Sequence, residues 1–362
     1  MSSLWDSRFC DESGRASTVY RSDSSNVDVG DILAATRSQL PYISPSSLRF
    51  DIPLGRGSSY QVTREIYDNN EVEPYYVAVK HIHTEAKTDV ERRKRYAGVI
   101  RELRVLMHPD LRGHGCIVPA LAYGWKNDPI EGARPYIILD FSDHGTLSQY
   151  LKRCNIPLEE RRELALDVAV GIRALHECGI VHGDIKCDNV LVFDCGDYHH
   201  ERPQVAKLAD FNSSIFEDDF RDGGQAHYLG TMRYNAPEIV GRAGGIPATY
   251  SRSLQSYQKA DSYTYGLFLW ECLKNGISYF DPQWLHQGED ENQALERIFK
   301  SGSNALLGKA LEFCKMNSDI ALDPGLESAV ISTFRLCLRD DADQRGDFDQ
   351  ICKELARGTR FG

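Results

Sequence analysis

Several features that define other protein classes are missing from this 362-residue sequence. No apolar run reaches the roughly 18–20 residues that a helix needs to cross a bilayer, and candidates such as YGLFLWECL at 265–273 are much shorter. The first residues, MSSLWDSRFCDES, lack the basic start and apolar middle of a secretory leader. We therefore expect no membrane insertion, and a cytoplasmic location with the nucleus as an alternative.

The sequence also lacks an excess of basic residues, because its 42 Lys and Arg are outnumbered by 53 Asp and Glu, and the formal net charge is −11. Such a surface repels polyanions, so no nucleic-acid partner is expected. None of the ten cysteines forms a CxxC pair, which predicts free thiols in a reducing compartment rather than a disulfide framework. No dimerising heptad is visible, so we expect a monomer.

The chain divides into three stretches of different character. Residues 1–45 are rich in Ser and Asp without sustained periodicity, which predicts a disordered tail. Residues 46–141 are mostly strand-like with a helical segment at 85–107. Residues 142–362 are mainly helical. A sheet-rich part followed by a helix-rich part predicts an α+β fold of two lobes with a cleft between them.

Two glycines, Gly55 and Gly57, lie in the stretch LGRGSSYQV at 54–62. Glycines let a backbone approach phosphates closely, although an ordinary hairpin turn is the better interpretation of such a pair by itself. Strand-like sequence stands on both sides, whereas a dinucleotide-binding motif needs a helix directly after its glycines. The stretch therefore favours a hairpin laid over a nucleotide.

Lys80 ends the alternating stretch VAVK and points to the same side of its strand as Ala78. A half-buried Lys is costly to desolvate unless it finds a partner, and Glu102 on the following helix is the natural candidate. An exposed Lys on an edge strand is the alternative interpretation.

A dense polar group lies between apolar anchors in IVHGDIKCDNVLV at 180–192. Asp184 and Asn189, with Asp210 in the later stretch LADFN, supply oxygen atoms that suit Mg²⁺ carrying a nucleotide. Lys186, two residues after Asp184, can reach a transferred phosphoryl group. A polar turn between two strands is the alternative if the stretch is considered alone.

Taken together and in order, these motifs resemble the eukaryotic protein kinase family over about residues 48–352. The set is LGRGSSYQV, VAVK, RELRVLMHP, HGDIKCDN, DFN, GTMRYNAPE, KADSYTYG and DADQR. The resemblance implies a bilobal kinase-like fold, with a small sheet-rich N-lobe at 46–141 and a larger, mainly helical C-lobe at 142–362. It also pairs Glu238 with Arg345 as a buried ion pair in the larger lobe.

The resemblance further implies how phosphoryl transfer would proceed. Asp184 would accept the proton of the substrate hydroxyl. Lys186 and Thr231 would stand beside it, because Thr231 resembles the threonine that bridges the catalytic Asp and Lys of Ser/Thr kinases. Lys80, positioned by Glu102, would hold the α- and β-phosphates.

ATP and Mg²⁺ are the cofactors that the resemblance implies, and proteins with Ser or Thr acceptors are the substrates. Asn189 and Asp210 would bind the metal. The residues implied to contact the nucleotide are Leu54, Gly55, Gly57, Val62, Ala78, Lys80, Asp140, Ser142 and Leu191.

Three positions depart from the kinase pattern. Gly183 replaces the usual Arg that pairs with an activation-loop phosphate, which predicts activity without activation-loop phosphorylation. Tyr60 stands where a third glycine is common, and can cap the site or hinder closure of the loop. Asn212 replaces the glycine of the Asp-Phe-Gly motif, and we expect it to adopt the positive φ that presents Asp210, because Asn tolerates that conformation.

The completeness of the catalytic set favours an ATP- and Mg²⁺-dependent Ser/Thr protein kinase. A pseudokinase that acts as a nucleotide-binding scaffold or interaction module is the alternative, and a small-molecule kinase of related fold is a third interpretation. Two stretches are longer than usual in kinases, one between Asn189 and Asp210 and one at 239–260. A neutral surface insertion is the preferred interpretation of the second, over a role in substrate choice.

Overall fold

The computed structural model of this chain describes residues 40–57, 60–70, 73–83, 88–128, 132–195, 203–223, 226–241, 253–302 and 304–358. Most of the predicted N-terminal tail lies outside the described residues, as does much of each predicted insertion.

The chain forms two compact units. The first unit comprises residues up to 143 together with 210–213 and 221–224. The second comprises 144–209, 214–220 and residues from 225 onward. The predicted domain boundaries after residues 45 and 141 stay predictions.

A five-stranded antiparallel sheet forms the first unit, in the order β1-β2-β3-β5-β4. Its strands are β1 (Leu48–Arg56), β2 (Tyr60–Tyr67), β3 (Tyr75–Ile82), β4 (Ala120–Asp128) and β5 (Gly132–Asp140). Because successive side chains of a strand point to opposite faces, β3 places Val77 and Val79 on one face and Ala78 and Lys80 on the other. The Val77 face carries a buried apolar cluster, made up of Val77, Val79, Ala122, Tyr136 and Ile138.

Helix α1 (Asp89–Leu106) follows β3 in the chain. The Thr88 side chain caps its first turn by accepting a hydrogen bond from the N–H of Glu91 at 3.1 Å. Leu103 is fully buried on the helix, as the helical spacing of apolar residues predicts. Glu102, the next residue toward the N-terminus, is also fully buried and therefore needs a partner for its charge.

In its described residues, the second unit is mainly helical and contains two short strand pairs. Its strands are β6 (Ile180–Val181) with β9 (Ile215–Phe216), and β7 (Val190–Asp194) with β8 (Gln204–Leu208). Its helices are α2 (Leu147–Arg153), α3 (Leu158–Glu177), α4 (Pro237–Val240), α5 (Leu254–Leu273), α6 (Glu291–Lys300), α7 (Ala305–Met316), α8 (Ser318–Ala321), α9 (Pro324–Cys337) and α10 (Phe348–Ala356).

Two long helices carry the core of the second unit. Helix α3 begins directly after Pro157 and ends before Gly179, which adopts a φ of 69° that costs a glycine little. Helix α5 is buried from Ala260 to Leu273, so it is a core helix and not an amphipathic surface helix. The predicted α+β class, with a sheet-rich first part and a helix-rich second part, is confirmed. Within the described part of the chain, no helix combines the length and apolar character that a bilayer crossing requires.

Candidate active site

Lys80 and Glu102 form a buried ion pair in the first unit. The Nζ of Lys80 on β3 lies 2.6 Å from Oε1 of Glu102 on α1. The Lys80 side chain is 9% exposed and that of Glu102 is fully buried. The partner predicted for Lys80 from the sequence is therefore the one the structure provides, and the alternative of an exposed surface Lys is wrong.

Asp210 joins this pair, although it stands 130 residues after Lys80 in the chain. Its Oδ1 lies 3.4 Å from the Lys80 Nζ and accepts a hydrogen bond from the Asn212 amide at 3.0 Å. Burial would lower the pKa of Lys80, but the carboxylates of Glu102 and Asp210 raise it above its usual value. Lys80 therefore stays a cation at neutral pH.

The backbone of this motif differs from the expectation. Asp210 itself has a φ of 62°, and Asn212 is not among the described residues with a positive φ. The expectation that Asn212 supplies the left-handed conformation was wrong. Asp is one of the few non-glycine residues that tolerate this region. Asn212 acts on Asp210 through its side chain instead, by donating a hydrogen bond to Oδ1 that a glycine could not make.

Tyr60 covers the Lys80 ammonium on the same face of the sheet. The centre of its ring lies 4.0 Å from the Lys80 Nζ, and the residue is only 4% exposed. Burial, with the nearby Glu102 carboxylate, raises the pKa of Tyr60 well above its usual value. The phenol is therefore neutral and presents its π face to the cation.

The residues predicted to contact a nucleotide are divided between the units. Leu191 lies on β7 in the second unit, and the others lie in the first. The sheet register sets Val62 opposite Lys80, and the Gly57 N–H donates to the Tyr60 carbonyl at 2.8 Å to close the β1–β2 turn. The first-unit set consists of Leu54, Gly55, Gly57, Val62, Ala78, Lys80, Asp140 and Ser142.

Four hydrogen bonds hold the Asp184 carboxylate in the second unit. Thr231 donates two of them to Oδ1, from its N–H at 2.9 Å and from its hydroxyl at 2.8 Å. Oδ2 accepts one from Lys186 Nζ at 2.7 Å and one from the Asn189 amide at 2.9 Å. Lys186 also donates to the Thr231 hydroxyl oxygen at 2.8 Å. The second-unit residues of the predicted catalytic set therefore lie in one network.

The electrostatics of this network favour an ionised Asp184. Burial acts to raise its pKa, but the hydrogen bond and charge of Lys186 and the two hydrogen bonds from Thr231 lower it overall. Asn189 directs its amide nitrogen at Asp184, donating also to the Asp184 backbone carbonyl at 2.8 Å. Its amide oxygen is therefore the atom suited to a cation. In the first unit, the half-exposed Asp210 carboxylate likewise offers oxygen, the kind of ligand that Mg²⁺ prefers.

The loop that carries Asp184 is anchored by the fully buried Asp261 of α5. Asp261 accepts hydrogen bonds from the backbone N–H groups of His182 at 2.8 Å and Gly183 at 3.1 Å. Tyr228 donates its hydroxyl to the same carboxylate at 2.8 Å, and His176 Nε2 lies 3.0 Å away. Sequence reasoning missed Tyr228 and His176, because they are 33 and 85 residues from Asp261 and no local pattern marks them.

The predicted ion pair between Glu238 and Arg345 is present in the second unit. Two parallel hydrogen bonds join the guanidinium to the carboxylate at 2.7 and 2.8 Å. The remaining guanidinium donors bind backbone carbonyls of Arg339, Lys259 and Asp340. The Arg345 side chain is fully buried, so its charge depends on these partners.

Comparisons with known proteins agree with this arrangement of residues. The protein kinase domain family matches residues 49–355. A probable serine/threonine-protein kinase of Dictyostelium discoideum is 29% identical over 254 residues, which cover 68% of this chain and 15% of that protein. A serine/threonine/tyrosine-protein kinase of Arabidopsis thaliana is 28% identical over 304 residues, which cover 83% and 64%. The serine/threonine-protein kinase mos of Xenopus laevis is 30% identical over 237 residues, which cover 63% and 57%. The chain thus spans less than two thirds of the length of each of these relatives.

Proposed function

Because the chain belongs to the protein kinase domain family, as its motifs predicted, we propose that it transfers the γ-phosphoryl group of ATP to Ser and Thr hydroxyls of protein substrates. The observation that carries the proposal is the network around Asp184, in which Lys186, Asn189 and Thr231 all bind the same carboxylate. A polar turn that merely joins two strands has no need of an ionised aspartate fixed by three partners.

Asp184 is the proposed general base. Its lowered pKa keeps the carboxylate ionised, so it can accept a hydrogen bond from the substrate hydroxyl and then its proton. The Thr231 hydroxyl donates to Oδ1 of Asp184 and accepts a hydrogen bond from Lys186. Lys186 is proposed to stabilise both the Asp184 carboxylate and the negative charge of the transferring phosphoryl group. Lys186 and Thr231 match the Ser/Thr class of the family, and this supports Ser and Thr as acceptors.

Lys80 is the proposed ligand of the α- and β-phosphates, with Glu102 as the residue that positions it. Asn189 and Asp210 are the residues that would hold Mg²⁺. When bound, the metal supplies positive charge that offsets the charge of the phosphates. Val62, Ala78 and Leu191, with the backbone at 140–142, are proposed to contact the adenine.

Activity is proposed to need no phosphate on the activation loop. Gly183 provides no cation for such a phosphate, and its φ of 79° suits glycine better than a larger residue. Treatment of the purified protein with a phosphatase should leave its activity intact, and loss of activity would contradict this part of the proposal.

The catalytic assignment is tested by phosphate transfer from labelled ATP with Mg²⁺ to a generic Ser/Thr substrate. Asp184→Asn, which keeps the size of the side chain, should lower kcat by about 10²–10⁴-fold, as expected for a lost general base. Asp188→Asn is the matched control, because Asp188 is an exposed carboxylate of the same loop. Equal transfer by wild type and Asp184→Asn would refute the assignment.

One observation favours a second candidate, a pseudokinase that acts as a nucleotide-binding scaffold. The centre of the Tyr60 ring lies 4.0 Å from the Nζ of Lys80, the cation proposed to hold the phosphates. Nucleotide binding without transfer in the same assay would select this candidate. A cytoplasmic location, suggested by thiols that remain free in the described residues, and action as a monomer belong to the proposal as well.

A further inference from the structure

Tyr60 lies on the face of the sheet that carries Lys80 because of the strand register. Tyr60 pairs with Ile82 and Val62 pairs with Lys80, so the two β2 side chains point to the same face as Lys80. A glycine at this position would leave that space open. The tyrosine fills it with an aromatic ring that is 4% exposed.

Among the described residues, three groups lie around the Lys80 ammonium. Glu102 lies at 2.6 Å, Asp210 lies at 3.4 Å, and the centre of the Tyr60 ring lies at 4.0 Å. The two carboxylates accept N–H groups of the cation, and the ring covers a further direction of approach. For a phosphate oxygen to come within hydrogen-bond distance of Lys80, one of these groups has to move. The uncharged ring is the group whose movement costs the least interaction energy with the cation.

We propose that Tyr60 is a displaceable cap on Lys80, which must leave before the phosphate chain of a nucleotide binds and which therefore sets the affinity for nucleotides through their phosphates. The inference rests on the proposed function, because it takes Lys80 as the phosphate ligand. A nucleoside has no phosphate to bind Lys80, so the cap should not affect the affinity for a nucleoside.

The proposed cap is the ring, which lies over the ammonium, whereas the hydroxyl interacts with Glu102. The attraction between an aromatic face and a desolvated ammonium is lost when the ring swings away, and any bound nucleotide has to make up for that loss. Phenylalanine retains the ring, so Tyr60→Phe should keep the cap. Glycine and alanine remove the ring, so Tyr60→Gly and Tyr60→Ala should leave Lys80 open.

The test is calorimetric titration of the full chain with Mg-ATP and, separately, with adenosine. For Tyr60→Gly and Tyr60→Ala, the Kd for Mg-ATP should fall by about tenfold, which matches the strength of a buried cation–π contact. The Kd for adenosine should not change, and Tyr60→Phe should resemble wild type. Tyr67→Ala is the matched control, because Tyr67 lies at the other end of β2 and packs against Tyr75. It should alter neither affinity.

A purely structural role for Tyr60 gives a different result. Unchanged Mg-ATP affinity in both ring-free variants, or equal changes for Mg-ATP and adenosine, would overturn the proposal. If neither variant folds, nitration by tetranitromethane decides the matter in the wild-type chain. Tyr60 should become reactive with Mg-ATP and stay protected with adenosine, and protection in both cases would refute the cap. Failure of the proposed function can be told apart from failure of the cap proposal. If the proposed function is wrong, neither the wild type nor any Tyr60 variant will transfer phosphate, whatever its affinity for Mg-ATP.

Discussion

Removal of the Thr231 hydroxyl tests the link between the Asp184 network and activity. Thr231→Val keeps the shape of the side chain and the backbone N–H that donates to Oδ1 at 2.9 Å. It removes the hydroxyl that donates to Oδ1 at 2.8 Å and accepts from Lys186 at 2.8 Å. The carboxylate would then keep three of its four hydrogen bonds, and Lys186 would lose one of its two acceptors.

The expected loss follows from the charge on the acceptor. A hydrogen bond to an ionised group contributes about 1.5–3 kcal/mol, so Thr231→Val should lower kcat/KM by roughly 10- to 150-fold if the hydroxyl positions the base. The backbone N–H still fixes one side of the carboxylate, which favours the lower half of this range.

The same variant should change the pH dependence. Hydrogen bonds from Thr231 help to lower the pKa of Asp184, so their partial removal raises that pKa toward its ordinary value. The ionised form is the proposed base, and it is lost as pH falls through the pKa. The acid limb of the kcat/KM profile should therefore move to higher pH in Thr231→Val.

The assay is steady-state transfer to a Ser/Thr peptide across a series of pH values. Thr231→Ser is the control because it keeps the hydroxyl, and it should retain most of the activity and the wild-type acid limb. If Thr231→Val matched wild type in rate and profile, or if Thr231→Ser lost as much as Thr231→Val, the assigned role of the hydroxyl would be wrong.

Three further predictions concern the stability and chemistry of the second unit. Glu238→Gln leaves the buried Arg345 without a counter-charge and should lower the free energy of unfolding by about 3–5 kcal/mol in denaturant titration. Gly266→Ala should cost about 1–3 kcal/mol in the same measurement, because the new methyl would lie 2.7 Å from Cys337 Cβ. Iodoacetamide at mildly alkaline pH should label the exposed Cys154 and spare Cys337, since burial raises the pKa of that thiol. Labelling of Cys337 in the native state would contradict the argument about its thiol. A surface substitution changes stability by roughly 0.5 kcal/mol or less, so a change of that size for Glu238→Gln or Gly266→Ala would contradict the corresponding argument.

Much of the fold followed from local patterns. The alternation in VAVK placed Lys80 and Ala78 on one face, and the register of β2 and β3 agrees with that placement. The pattern at 85–107 predicted a helix where α1 lies. Glu102 was the expected partner of a half-buried Lys80, and the two side chains form an ion pair. These features depend on neighbours within one or two turns or strands, which is why the sequence reveals them.

Other features could not be predicted because they depend on distant contacts. The left-handed backbone lies at Asp210, and the identity of Asn212 gave the wrong expectation about it. The approach of Tyr228 to Asp261 depends on how a loop packs on α5. Spacing in the motifs identified the residues around Asp184, but only coordinates show that one carboxylate binds all three partners.

The first unit is built from separate segments of the chain, and this limits which fragments reproduce it. A fragment that stops at residue 143 encodes all five strands of its sheet and α1, yet it omits residues 210–213. In such a fragment Lys80 keeps Glu102 and loses Asp210, so its ammonium is bound by one carboxylate instead of two. Experiments on such a fragment would therefore measure a Lys80 that lacks its contact with Asp210. Restoring that contact requires residues 210–213 to be added to the fragment.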